Sequence, residues 1–187
     1  MESPPLPPTV ALAGVVRCIA VAGMLLVRRR VHLSDEHVGM RVSFADGTTS
    51  RIYRETTIDR PPASQPCALV VEFRLRGVRG LGHAAFRLES LLNTPLFVGF
   101  TGFVSKLWLA NDERGTYRGL YEWDGPEAAE HYARCLWWVL ALVSARDSIH
   151  YRVQPGTHSD DLLHQPSLID ASVTSDSAGW WRPVATA

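Results

Sequence analysis

Cysteine is scarce: Cys18, Cys67 and Cys135 are the three in 187 residues. An odd, widely spaced set excludes a disulfide framework, and no C-x-x-C pair is present to suggest zinc. Two of the three stand in apolar runs, where a free thiol behaves as a small hydrophobe. Net charge of one sign is absent as well, since the formal total is +0. With no basic cluster interleaved with aromatics, nothing draws the chain to nucleic acid. The sequence has no Walker motif, nucleotide fingerprint, nucleophile elbow, H-E-x-x-H or EF-hand loop. His158 and His164 with Asp160 and Asp161 form a His/Asp patch, but in a polar tail this is thin ground for a metal. No metal and no cofactor are expected.

What is present is a core of ordinary size, with 46% hydrophobic residues. The clearest signal runs from Gly102 to Asp124. Phe103, Ser105, Leu107 and Leu109 alternate with Val104, Lys106 and Trp108. After the turn Asn111–Gly115, Tyr117, Gly119, Tyr121 and Trp123 alternate with Arg118, Leu120 and Glu122. Period two in adjacent aromatic-rich runs predicts a β-hairpin. Ala68–Leu75 reads as a preceding strand and Ser148–Gln154 as a final one. A helix is expected over His83–Leu92, ended by Pro95. A second is expected from Pro126 to about Ser144, capped by Asp124. The order β-α-β-β-α-β is the split βαβ, ferredoxin-like arrangement, an α+β class with both helices on one face. The other face would carry Glu72, Arg74, Lys106, Trp108, Arg118, Glu122, His150 and Arg152. Such a mixed surface invites back-to-back pairing of two sheets in a homodimer, with these charges as interface ion pairs.

Four stretches follow: an apolar segment 1–30, a hairpin and linker 31–66, the α+β domain 67–156, and a loose polar tail 157–187. Within the first, residues 9–27 are just long enough to span a bilayer. Arg17 near the middle opposes insertion, and Arg28–Arg30 would hold the domain on the cytoplasmic side. A core or amphipathic helix, or an upstream extension with Met24 or Met40 as the true start, are the alternatives. The location expected is cytoplasmic, with or without a membrane anchor. In the second stretch Asp46–Gly47 suits a tight turn between strands.

GFVSKLWL, the polar turn, GLYEWDGPEAAEHYARCL and SIHYRVQPG together resemble the small dimeric α+β barrel proteins. The nearest match is the YdhR-like monooxygenase group, related to cofactor-free antibiotic-biosynthesis monooxygenases. The resemblance covers Ala68–Gly156. It implies a pocket between helices and sheet and a small aromatic substrate. Tyr117, Tyr121, Tyr151 and His83 are the candidate catalytic groups, because phenols and imidazoles move protons to and from phenolic or enolic substrates. Ser105, Gly119, Trp123 and Tyr132 would line the pocket, with Gly119 leaving a gap between two tyrosines for a flat ligand. The alternative is that the tyrosines simply fill the core. Three functions are compatible with these residues: a cofactor-independent oxygenase for a phenolic or polycyclic metabolite, a cyclase or isomerase using the same pocket, and a binding or membrane-associated protein without turnover.

Overall fold

The computed structural model describes residues 3–78, 82, 86, 90–164 and 179–187, with the backbone alone at 90–92. The expected helix His83–Leu92 falls mostly outside these residues. A 3-10 helix spans Ser90–Leu96, with Pro95 inside it.

Helix α1 (Pro8–Val27) comes first. Strands β1 (Val31–Ser34), β2 (Arg41–Phe44), β3 (Thr49–Ile58) and β4 (Pro66–Arg74) follow, then β5 (Phe103–Leu109) and β6 (Thr116–Asp124). Helix α2 (Pro126–Val143), β7 (His150–Pro155), α3 (Ser159–His164) and β8 (Pro183–Thr186) complete the described elements. The class is α+β, with one curled antiparallel sheet. Its strand order is β7-β4-β6-β5-β3-β2-β8, with β1 pairing β3 beside this path. The N-terminal hairpin therefore extends the sheet through β3 and β5.

Strand β4 holds Cys67 to Val71 buried without interruption. Unbroken apolar character marks a strand covered on both faces. On one side Leu69, Val71, Phe103, Trp108, Tyr121 and Trp123 pack beneath α2, against Tyr132, Leu136 and Leu140. On the other, Ala68, Val70, Leu107, Leu109 and Leu120 meet Leu162, Leu163 and Trp181. The face expected to be open is thus covered by the chain's own tail. Of the tail expected to be loose, α3 and β8 are docked.

The phase of β5 also departs from simple alternation. Phe103 pairs with Trp123, but Ser105 pairs with the adjacent Glu122. Val104 is one extra residue on this strand, a β-bulge, and everything after it changes face. Lys106 and Trp108 consequently join Tyr121 and Phe97 under the helices, and Leu107 and Leu109 go to the tail side. Lys106 and Trp108 do not belong to the charged face assigned to them above.

Asp124 does not cap α2, whose N-cap is Gly125 without a side-chain bond. Its carboxylate instead accepts the backbone N–H groups of Ser64 and Gln65 and pairs with Arg60 at 2.6 Å. These donors hold its pKa down and fasten the linker 59–66 across the end of the sheet.

On the tail side, Arg118 is buried and pairs with Asp112 (2.8 Å), Asp46 (3.0 Å) and Glu72 (3.4 Å). Desolvation raises Glu72 to about 7, against the pull of Arg118. A carboxyl raised on folding binds extra protons in the native state between its unfolded and folded pKa values. Its contribution to stability therefore falls as pH rises through that window. Glu72→Gln should melt above the parent protein at about pH 8, where Glu72 is charged, and together with it at about pH 5. Thermal scans at both values check this.

Candidate active site beneath the helices

Two adjacent rows of side chains cross the sheet on its helix-covered face. Tyr151, Val71, Gly119, Trp108 and Arg54 occupy one; Val153, Leu69, Tyr121, Lys106 and Thr56 occupy the next. Where they meet β5 and β6 they bring together Lys106, Trp108, Tyr121 and Arg54.

Lys106 is the only lysine in the chain. Its ammonium nitrogen lies 3.2 Å from the Trp108 ring centroid, 4.6 Å from Phe97 and 4.7 Å from Tyr121. No carboxylate pairs with it among the described residues. Three π faces favour its charged form. Burial and the nearby Arg54 charge oppose it and push its pKa well below the lysine range. The Arg54 guanidinium stands 5.2 Å from the Trp108 centroid and donates to Thr94 Oγ1 at 2.7 Å. The Trp108 indole N–H donates to Thr56 Oγ1 at 3.2 Å, which fixes the ring over the sheet. Both Arg54 and Thr56 come from β3, so the N-terminal hairpin supplies part of this wall.

Tyr121 and Tyr132 are fully buried, and the Tyr132 O–H donates to the Tyr121 oxygen at 3.2 Å. That leaves the Tyr121 proton free to donate elsewhere. Burial raises both phenols above their ordinary value. Trp123 packs on Tyr132 with ring centroids 4.8 Å apart, and its buried indole N–H has no acceptor among the described residues.

The other expected site residues are dispersed. Tyr117 stacks with Phe73 and meets Phe86 edge-on. Tyr151 is held by Ser3, whose N–H donates to its hydroxyl at 2.9 Å and whose carbonyl accepts from it at 3.2 Å. Ser105 pairs with Glu122, beyond the bulge and away from this face. His83 lies outside the described residues. The gap expected at Gly119 is filled by the Tyr121 ring, whose Cε2 would stand 2.7 Å from any added Cβ. A void of about 10 Å³ sits on the opposite face among Val42, Val70, Leu109, Leu120, Leu163 and Trp181, room for about one water.

Lys106 and Trp108, placed on the other face by strand alternation alone, stand in this cluster because of the bulge; their mark in the sequence is a solitary lysine, in a chain otherwise using arginine, set in an aromatic strand. A further cluster of titratable groups among the described residues is Glu36, His37 and Glu55, with one donor atom each within 4.8 Å. His37 Nδ1 already meets Glu55 at 3.2 Å, and its Nε2 lies 3.7 Å from Asp160. This arrangement latches α3 to the hairpin.

No family model and no curated protein matches this sequence. A solved structure described as that of a major regulator of staphylococcal pathogenesis aligns at a TM-score of 0.38 and 13% identity. The alignment covers 67% of this chain and 97% of that one. At that level neither its fold nor its role transfers.

Gly119→Ala should cost about 1–3 kcal/mol by forcing the Tyr121 ring off the sheet. Denaturant melts check the loss, and the Tyr121–Tyr132 hydroxyl contact should break with it.

Proposed function

We propose that this chain is a small-molecule enzyme of the ferredoxin-like, α+β barrel type, acting on a phenolic or polycyclic substrate without a cofactor. The observation that carries the reading is Lys106: a solitary amine buried among aromatic rings, unpaired by any described carboxylate, next to a phenol with a free proton. A lysine whose pKa is pushed down is nearer to acting as a general base than an ordinary surface lysine. Trp108, Phe97 and Tyr121 are rings of the kind that stack on a flat substrate, which would have to displace one of them to reach the amine, and the Arg54 charge and Tyr121 proton suit the anion that forms when the substrate is deprotonated. The β7-β4-β6-β5 order and the helix α2 beneath it support the fold assignment.

In the reaction, Lys106 takes the phenolic or enolic proton and Tyr121 donates to the resulting oxyanion, with Tyr132 orienting it. Dioxygen is the oxidant. The electron-rich ring carbon forms a bond to oxygen, and Lys106 returns its proton to the peroxide; the O–O bond then breaks, the distal oxygen leaving as water as the ring C–H proton is lost. Phenol plus dioxygen thus gives quinone plus water. Without dioxygen, the same base and donors support an enolisation leading to cyclisation or isomerisation.

Lys106→Met should lower turnover by about 10²–10⁴-fold. Tyr132→Phe should have a smaller effect, because Tyr121 keeps its proton. Oxygen uptake and product formation with a panel of naphthols and anthrones measure both. Turnover without oxygen uptake selects the cyclase or isomerase reading. Full activity in a folded Lys106→Met variant contradicts the role of the amine.

A further inference from the structure

Helix α1 has two unlike faces. Its inner face is a row of small residues, with Ala11, Cys18 and Ala22 buried. Gly14 faces Cys135, and Gly99 of the 95–100 segment comes so close that a Cβ there would run into the Cys18 carbonyl oxygen. The Cys18 thiol donates to the Pro95 carbonyl at 3.2 Å. Ahead of the helix, the Leu6 carbonyl accepts from the Trp138 indole at 2.7 Å and the Pro4 carbonyl from Arg134 at 2.8 Å. The helix is therefore fastened along α2 as part of the fold.

Its outer face is apolar and uncovered. Leu12, Val16, Ile19, Met24, Leu26 and Val27 are exposed, Val27 to 85%. The charges on the helix and in the three residues after it have one sign: Arg17, Arg28, Arg29 and Arg30 are exposed, and no acidic residue occurs from Ser3 to Ser34; Asp59, whose carbonyl accepts from Arg30 and whose carboxylate meets His32, lies beside the arginine end. An apolar helix face bordered by arginines complements a lipid surface bearing anionic headgroups.

We propose that α1 lies in the plane of an anionic membrane surface, its outer face in the acyl boundary and its arginines on the phosphates. The docked geometry disfavours a spanning role. A 20-residue helix crossing the roughly 30 Å hydrocarbon core would carry α2 in with it, including Arg134 and His131 beside its inner face. Arg17 next to Val16 can reach the headgroups along its aliphatic stem.

The test is cosedimentation of the full chain with vesicles of phosphatidylcholine alone and of phosphatidylcholine with phosphatidylglycerol. Binding is expected to the anionic vesicles, weakened by salt and released by alkaline carbonate. Val16→Glu with Val27→Glu should reduce it tenfold or more while the melting temperature holds. Replacing Arg28, Arg29 and Arg30 with Gln should cost about fivefold per arginine, with the loss confined to anionic vesicles. Failure to sediment with either vesicle overturns the proposal. So does resistance to carbonate, which would mean a spanning helix. A dimer in light scattering that Val16→Glu dissolves, with no vesicle binding, would assign the face to a second copy of the chain.

Discussion

The extra residue at Val104 is the constraint on which the interior depends. It lets Phe103 pack under α2 at the start of β5 and still turns Lys106 and Trp108 to the same side two and four residues beyond the bulge. Without the bulge, Leu107 and Leu109 would stand under the helices and an amine would stand against Leu162, Leu163 and Trp181. Side-chain period two makes such a slip all-or-nothing. The bulge thus sets the apolar packing of the tail side and the placement of the only lysine with one backbone irregularity.

A buried amine is costly to keep, and the surrounding structure shows how the cost is lowered. Three ring faces surround the nitrogen, and the Trp108 ring is itself fixed by Thr56 from β3. The N-terminal hairpin therefore belongs to the site's architecture and does not merely extend the sheet. The buried cation on the other face is treated differently. Arg118 has three carboxylates and rests on Phe44 at 4.3 Å. An arginine so paired is structural; Lys106 has aromatic rings in place of carboxylates, and the proton-transfer role proposed for it rests on that difference.

Much of the frame was legible in the residues. Alternation marked β4, β5, β6 and β7, and Pro126 with the apolar run after it marked α2. The antiparallel α+β class followed from that order. The bulge was not legible, because Val104, Lys106 and Trp108 alternate as convincingly as Phe103, Ser105 and Leu107 do. Lys106 therefore read as a surface charge. Asp124 read as a cap because aspartate before a helix usually is one; its actual partners in Ser64 and Gln65 are local in space and remote in sequence. Gly119 read as a gap because a strand pattern does not show that a neighbouring ring, Tyr121, folds back over it. The docking of Leu162, Leu163 and Trp181 depended on an apolar tail face of the sheet that the misplaced Lys106 and Trp108 had disguised.

The depressed basicity of the Lys106 amine can be measured directly, because the chain has one lysine. With one lysine, selective labelling at the ε-carbon or ζ-nitrogen gives one side-chain resonance to follow by NMR against pH. A titration midpoint well below the ordinary lysine value of about 10.4 is expected, moving upward in an Arg54→Met variant as the neighbouring charge is removed. A midpoint at the ordinary value, unchanged by that substitution, would contradict it.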